Sequence, residues 1–512
     1  MVGVRRSFSV AAIRTAESAA LAATGEGELM SRAARGLAVT CAELLSSWRG
    51  RVTGSRVVVL AGTGNNAGDA LFAAAELGRR GAAVAVITLA GTTHPGGLAA
   101  ALAHGARLVD LGGVEVGDPL LQATLPTLSE ADLVLDGIVG IGGSGPLRPV
   151  AATLAAAAAG RIVAVDLPSG VNPDTGEVPD PDACVSAEVT VTFGALKTGL
   201  LLPPASVQAG LVSSVDIGLG PYLAEGDEAA DAVLMDMVAA GDAVPVPGGA
   251  DDKYTRGVLG VVAGSEDYPG AGILCSGAGR FGGVGMVRYA GGAVDQVVTR
   301  WPEIVPSRTM PSKSGRVQAW VIGSGAGVDD TAKARLVDVL AAQVPIVVDA
   351  DAITLVSADE DLRTMVRDRT SPTLFTPHAG EFARLGGDLS VAGGRLAAVR
   401  RLAADLDSVV LLKGAVTVIA GANGSAVVSA SGPPDLATAG SGDVLSGLIG
   451  SLVAANHVAD STDLARVAGA GAYLHGVAAR LAAAGGRPIV SEDVLTAVPD
   501  AVALARNVAA GG

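Results

Sequence analysis

Short apolar runs that break off into glycine- or aspartate-bearing loops recur in two series along this chain, with helical spacing between them. In the first, Val57-Val58-Val59-Leu60 is followed by the loop Gly62-Thr63-Gly64-Asn65-Asn66-Ala67-Gly68-Asp69, a helical stretch from Leu71 to Arg80, and Val84-Ala85-Val86-Ile87. Such runs have no polar face, so they suit a parallel sheet covered by helices on both sides. Leu133-Val134-Leu135-Asp136 and Ile162-Val163-Ala164-Val165-Asp166 continue the series. The second contains Val258-Leu259-Gly260-Val261-Val262, Met286-Val287-Arg288-Tyr289, Trp320-Val321-Ile322, Ile346-Val347-Val348-Asp349-Ala350-Asp351 and Val410-Leu411-Leu412-Lys413. At 512 residues the chain exceeds one ordinary core, so the expectation is an α/β protein of two domains. The Pro- and Gly-bearing segment after Val215-Asp216-Ile217-Gly218 puts the boundary near Tyr222, giving 1–222 and 223–512. The stretch from Glu225 to Asp252 reads as a short helix and then a loop.

Before the first series, Ile13, Ala16, Ala20 and Leu21 share the expected buried face of an amphipathic helix, and Leu29-Met30 begins a second helical segment through Leu37 and Leu44. Arg5-Arg6-Ser7-Phe8 has the look of a twin-arginine signal, but Arg14 and Glu17 interrupt the apolar region it would need. An exposed start running into a helix is expected instead. No stretch is apolar for long enough to span a membrane. With 36 basic against 51 acidic residues and no basic run with interleaved aromatics, nucleic acid is excluded as a partner. Cys41, Cys184 and Cys275 are too scattered for a disulfide framework or a zinc site and fit a reducing, cytoplasmic compartment.

In a parallel sheet the carboxyl ends of the strands line the ligand crevice, so Asp136, Asp166 and the Asn65-Asn66 loop should converge there. Either aspartate alone suits a turn or cap. The three loops together favour a site. A dinucleotide fold of the usual kind wants an acidic residue after the second strand; Thr88-Leu89-Ala90-Gly91 stands there, which disfavours an NAD-dependent dehydrogenase. In the second half, Ala439-Gly440-Ser441-Gly442-Asp443 precedes Val444, Leu445, Leu448 and Ile449 at helical spacing. Unpaired N–H groups of Gly440 to Asp443 would face a phosphate at the positive end of the helix, with Asp443 beside it as a base, an arrangement suited to phosphoryl transfer onto a hydroxyl. A glycine-rich turn capped by aspartate is the alternative. His378 within Thr376-Pro377-His378-Ala379-Gly380-Glu381, and Lys413, are candidates for substrate and phosphate contacts, against a structural histidine and a solvated strand end.

The run Asn65-Asn66-Ala67-Gly68-Asp69, the loop from Asp136 to Pro146, and Asp166-Leu167-Pro168-Ser169-Gly170 resemble the NAD(P)H-hydrate epimerase family over the first 220 residues or so. That resemblance implies a Rossmann-like three-layer α/β/α domain, Asp166 as the acid/base, and a potassium ion held by Asn66, Asp136 and Ser169. It implies that Asn65, Asn66, Ala67, Gly68 and Asp69, with Gly140, Ile141, Gly142, Gly143, Ser144, Gly145 and Pro146, hold the nucleotide. Ala67 and Ala70 stand where the family usually has glycines.

Residues 225–510 carry Tyr268-Pro269-Gly270-Ala271, Thr376 to Glu381, Lys413-Gly414-Ala415-Val416-Thr417 and Gly440 to Gly447, and resemble the ADP-dependent NAD(P)H-hydrate dehydratases of the ribokinase-like superfamily. The resemblance implies that Ala271, Gly325, Gly327, His378 and Asp443 contact the hydrated nucleotide. Lys413, Gly414, Ala415, Val416, Thr417 and Gly442 would contact the adenine nucleotide, with ADP as phosphoryl donor and magnesium as cofactor. The family's usual threonine before the glycine-aspartate pair is Ser441 here, which keeps the hydroxyl, and the expected anion hole is retained. Together the resemblances imply repair of NADHX and NADPHX: epimerisation of the R and S hydrates, then ADP-dependent dehydration of the S form, by a homo-oligomer. A ribokinase-like vitamin or sugar-alcohol kinase with a non-catalytic N-terminal nucleotide-binding module is the alternative.

Overall fold

The computed structural model describes residues 5–25, 27–143, 145–158, 160–224, 226 and 230–511, and the chain divides into two compact units, Arg6–Asp231 and Ala232–Gly512. The division lies beyond the expected boundary near Tyr222. Gly220–Tyr222 forms a short 3-10 turn against the helix Val10–Thr24, and Arg6 donates from Nη1 to the carbonyls of Ala224 (3.1 Å) and Gly226 (3.2 Å), so the first unit holds the chain past that point. Ala232–Leu234 is then a strand of the second unit, absent from the helix-and-loop reading of this stretch because three residues are too few to display a period.

In the first unit, β1 (Arg56–Ala61), β2 (Ala83–Thr88), β3 (Arg107–Asp110), β4 (Leu133–Gly137), β5 (Ile162–Val165), β6 (Val189–Phe193) and β7 (Leu211–Val215) form one sheet, ordered β3-β2-β1-β4-β5-β6-β7 and parallel throughout. Val57 and Val59 share a core with Leu37, Leu45 and Leu71, whereas Val58 and Leu60 pack with Leu121, Leu128 and Leu154. Both faces are therefore covered, and a slip by one residue would exchange them. Each such buried side chain contributes about 1.5–3 kcal/mol, which outweighs any local preference in fixing register. Ile13, Ala16 and Ala20 are buried as expected, but Leu21 is 39% exposed: it lies on the turn's next face and borders a cavity instead.

Strand addition reverses between β1 and β4, and the crevice lies at this switch. The stretch Asn65–Asp69, expected as loop, is the first turn and more of the helix Asn65–Arg79, with Gly64 extended ahead of it. Ala67 and Ala70 are fully buried, and their methyl groups favour helix where glycine would not. Gly62 allows the strand end to pass Ile138; a Cβ there would fall 1.9 Å from the Ile138 carbonyl oxygen.

In the second unit, the strands are β8 (Ala232–Leu234), β9 (Val258–Val262), β10 (Met286–Tyr289), β11 (Val305–Pro306), β12 (Ala319–Ile322), β13 (Ile346–Val348), β14 (Thr373–Phe375), β15 (Val409–Leu412), β16 (Thr417–Ala420) and β17 (Ala426–Ser429). Their order is β11-β10-β9-β12-β13-β14-β15-β16-β17-β8, parallel except where β16 runs antiparallel to β15 and β17. The helices Pro269–Gly279, Ser441–Ala455 and Ser461–Ala482 share a core with Leu259, Val261 and Val321. Gly447 lets the first two of these helices meet, since a Cβ at that position would lie 2.0 Å from the Cys275 carbonyl oxygen. That contact fixes the glycine-rich turn at the start of Ser441–Ala455.

Candidate active sites

The switch point of the first unit opens into a cavity of about 1480 Å³ bordered by Asn65, Asn66, Asp69, Gly140, Ile141, Gly142, Gly143 and Asp166. Of the groups expected to converge, the two asparagines, the glycine-rich loop and Asp166 border this space; Asp136 does not, and Asp69 stands there as a second carboxyl. Ala67 and Gly68 are instead in the helix body: Ala67 is core, and a Cβ on Gly68 would sit 3.0 Å from the His94 ring. Gly145 and Pro146 are exposed and do not border the cavity, because the loop has turned away through the positive φ of Gly145 (84°). Ser144 lies outside the described residues.

Asp136 is wholly buried under this floor. Its Oδ2 accepts from Ser169 N (2.8 Å), and its Oδ1 accepts from Ser169 Oγ (2.7 Å) and Ile138 N (3.2 Å). Burial pushes its carboxyl up to about 6 against the pull of these donors. Asn66 is also buried, and its Nδ2 has no hydrogen-bond partner among the described residues. A buried amide nitrogen without an acceptor is costly. The two amide atoms are interchangeable by a flip, which would present Oδ1 at that place.

Asp166 follows β5 with φ of 68°, a left-handed conformation that a residue with a side chain avoids unless its surroundings impose it. Its Oδ1 accepts from Thr192 Oγ1 (3.2 Å), Phe193 N (3.1 Å) and the ammonium of Lys197. Lys197, absent from the sequence-based candidates, is 1% exposed. A lysine among Gly194, Ala195, Leu196 and Gly199 was its only signal. Glu17 and Arg14 also border the cavity. Burial, then the charges of Asp166 and Glu17, push the Asp69 carboxyl well above the usual range; burial likewise raises Glu17.

In the second unit, Gly440 takes φ of 85° and starts the helix Ser441–Ala455. The sequence expects the N–H groups of Gly440 to Asp443 to be unpaired, but two of them are paired within the turn. Ser441 N donates to Thr438 O (3.4 Å) and Asp443 N to Gly440 O (3.1 Å), while Gly442 N has no partner among the described residues. The Ser441 hydroxyl donates to Leu436 O (2.8 Å) and ties the turn. Burial, then the nearby charge of Asp349, pushes Asp443 up to about 6, opposed by the Ser324 hydroxyl and Lys413. A base poised there is ionised at neutral pH yet basic enough to accept a proton.

Lys413 follows β15 and points to Asp349, not freely to solvent: Nζ lies 2.9 Å from Asp349 Oδ1 and 3.9 Å from Glu381 Oε2. It also lies 3.5 Å from where a Cβ of Gly442 would be, so it stands beside the open N–H. Asp349, quoted in the sequence only as the end of a strand, is the hub. Its Oδ1 also accepts from Thr376 Oγ1 (2.8 Å), and its Oδ2 accepts from Ser446 Oγ (2.6 Å) and Ser324 Oγ (3.2 Å). Burial raises this carboxyl, but Lys413 and the hydroxyls overcome it and hold it below the usual range.

Gly325 abuts Ala271, whose Cβ would be 2.7 Å from a Cβ placed on that glycine. Gly327 N donates to Asp351 Oδ2 (2.9 Å). Ser324 and Asp351 in turn act on Asp443, which draws the 323–327 loop and Ala271 to the same place. His378 is the N-cap of Ala379–Arg384: its Nδ1 accepts from Gly380 N (2.9 Å) and Glu381 N (3.3 Å), and Glu381 returns the bond to His378 N (2.9 Å). A structural task thus occupies one ring nitrogen. Of the 413–417 stretch, Gly414 and Ala415 form the exposed turn between β15 and β16, Val416 is buried, and Thr417 opens β16. Burial lowers His475 to about 4, and its Nε2 has no hydrogen-bond partner among the described residues.

The description "NAD(P)H-hydrate dehydratase" belongs to a family model matching residues 259–498, and "YjeF-related protein N-terminus" to one matching 26–199. A bifunctional NAD(P)H-hydrate repair enzyme Nnr of Mycobacterium leprae (strain TN) is 45% identical over 487 residues, 94% of this chain and 95% of that protein. The enzyme of the same name from Mycobacterium tuberculosis (strain H37Rv) is 46% identical over 88% and 89% of the two chains. That of Corynebacterium glutamicum is 33% identical over 97% and 98%. A solved ADP/ATP-dependent NAD(P)H-hydrate dehydratase from Bacillus subtilis, co-crystallized with ATP/Mg2+, is 25% identical, with a TM-score of 0.44 over 52% of this chain and 96% of its own. With so close a match along nearly its whole length, the chain belongs to the bifunctional NAD(P)H-hydrate repair enzyme family.

Proposed function

We propose that the first unit epimerises R and S NAD(P)H hydrate and that the second dehydrates the S form at the expense of ADP, in the cytoplasm. Hydration puts a hydroxyl on C6 of the nicotinamide ring beside the ring nitrogen, a hemiaminal. Inversion through ring opening or loss of that hydroxyl requires proton transfer at oxygen. Asp166 is the group for this step, and Asp69 faces the bound substrate from the helix Asn65–Arg79. Hydroxide leaves poorly, and phosphorylation turns it into phosphate. Asp443 takes the hydroxyl proton, while Gly442 N–H and Lys413 hold the transferred group. The observation that carries this reading is that the chain has a carboxyl facing a cavity in one unit and another in the first turn of a glycine-started helix, beside the Gly442 N–H, in the other.

A potassium ion suits the first site. The partnerless amide of Asn66, flipped to offer Oδ1, would join Asp136 and Ser169 Oγ, mostly neutral oxygens with one carboxylate. The ion would neutralise a buried charge and set the floor under the nucleotide. Magnesium differs: among the described residues, no group of three His, Cys, Asp or Glu side chains is disposed to hold a metal. It would enter on the nucleotide phosphates with its own waters. Three free cysteines support a reducing compartment, and no described helix is long and apolar enough to cross a membrane.

Mixed NADHX epimers incubated with the pure protein should interconvert without ADP. With ADP and magnesium, both should disappear as the absorbance of reduced nicotinamide returns. An accumulating phosphorylated metabolite without that absorbance would favour a kinase and refute the dehydratase reading.

A further inference from the structure

We propose that Lys197 is a positioning residue for epimerisation: with Thr192 and the Phe193 N–H it locks Oδ1 of Asp166, so that Oδ2 alone is presented to the substrate as a carboxylate oxygen. The inference rests on the reading of Asp166 as the acid/base. All the hydrogen bonds to the Asp166 carboxylate fall on Oδ1, and among the described residues Oδ2 accepts none, although Asp166 borders the cavity. Lys197 is buried, and its three protons have three partners: Asp166 Oδ1, Thr192 Oγ1 (3.0 Å) and Phe193 O (3.0 Å). No proton remains for the substrate, so the ammonium acts through Asp166 and does not itself transfer one. The backbone supports the same purpose. Asp166 N donates to Val191 O (2.8 Å), and the left-handed φ of 68° aims the side chain back under β6 toward Lys197.

Two further carboxyls face this pair, Glu17 from Val10–Thr24 and Asp69 from Asn65–Arg79, with Arg14 nearby. Without Lys197, Asp166 would lose the ammonium bonded to Oδ1 and keep only the Thr192 and Phe193 donors to hold that oxygen. The ion pair therefore fixes which oxygen works.

The test uses the full-length protein and follows epimer interconversion by chromatography over a range of substrate concentrations, with dehydration of the S epimer as the control for the other unit. In Lys197→Met, kcat should fall about 10²-fold, as for a misplaced catalytic group. KM should change little. Lys197→Arg, which keeps a charged donor at Oδ1, should recover most of kcat. Thr192→Val, which removes one bond from each partner without unpairing a charge, should lower kcat at unchanged KM and serves if Lys197→Met does not fold. Wild-type kcat in Lys197→Met, or an unaltered kcat in Thr192→Val, would overturn the inference while an inactive Asp166→Asn left the reading of Asp166 intact. An active Asp166→Asn would overturn that reading itself.

Discussion

Asp349→Asn should move the acid limb of ADP-dependent dehydration to lower pH. Asp443 stands at about 6 instead of 3.8, raised first by burial and next by the charge of Asp349. A base of that strength is ionised in about nine tenths of molecules at pH 7 and in about one tenth at pH 5, so dehydration should fall roughly tenfold between them. Asparagine preserves the shape of Asp349 and can still meet the Thr376 and Ser446 hydroxyls, while the like charge disappears. Lys413, losing its partner, then acts more strongly on Asp443, and both changes favour the carboxylate. Because burial is the larger cause, the mutation should lower the limb by no more than about one pH unit. At pH 5 that raises the ionised fraction, and the rate relative to its plateau, about three- to fivefold. Single-turnover recovery of reduced-nicotinamide absorbance, with saturating ADP and pure S epimer, measures this. Titration of the ADP phosphates is common to both proteins and cancels in the comparison. A limb that stayed in place or moved upward would refute the coupling of Asp349 to Asp443.

Two other outcomes follow from the same geometry. Lys413→Ala should weaken ADP binding in calorimetry more than it weakens hydrate binding, and should cost about 3–5 kcal/mol in denaturant unfolding, because Asp349 is left buried without its counter-ion; equal ADP affinity would count against a phosphate contact. Potassium should raise the Tm of the wild-type protein, by up to about 2.7 kcal/mol of added stability at a hundredfold excess over Kd, and Asp136→Ala should abolish that increment. A potassium-dependent rise surviving in the variant would place the ion elsewhere.

Much of this was legible in the residues, because strands buried on both faces and the loops that end them leave a strong pattern. Val57 to Leu60, Leu133 to Asp136 and Ile162 to Asp166 all lie where their apolar runs put them. The pattern fails where tertiary packing decides. Asn65 to Asp69 is helix because its two alanines are buried in the core, although a glycine-rich reading favours a loop. The three-residue strand Ala232–Leu234 is defined by pairing, Val233 with Val427 and Leu234 with Val428 of β17. Sites show the same division. Asp166 and Asp443 advertise themselves by following a strand and a glycine-rich turn. Lys197 and Asp349 act by pairing across long stretches of sequence, with Asp166 and Lys413, and a lone charge in an apolar context does not say what it pairs with. His378 shows the converse, since its motif was visible but its cap to Glu381 depends on the turn it makes.

The division of labour between the units is tested most directly by giving mixed NADHX epimers, ADP and magnesium to Asp166→Asn and Asp443→Asn and following each epimer separately. Asp166→Asn should consume the S epimer at the wild-type rate and then stall with R remaining, apart from slow spontaneous inversion. Asp443→Asn should interconvert the epimers normally while dehydration falls by about two to four orders of magnitude. If a folded Asp166→Asn protein also lost dehydration of the S epimer, or if Asp443→Asn dehydrated at near the wild-type rate, two separate sites with these bases would be contradicted.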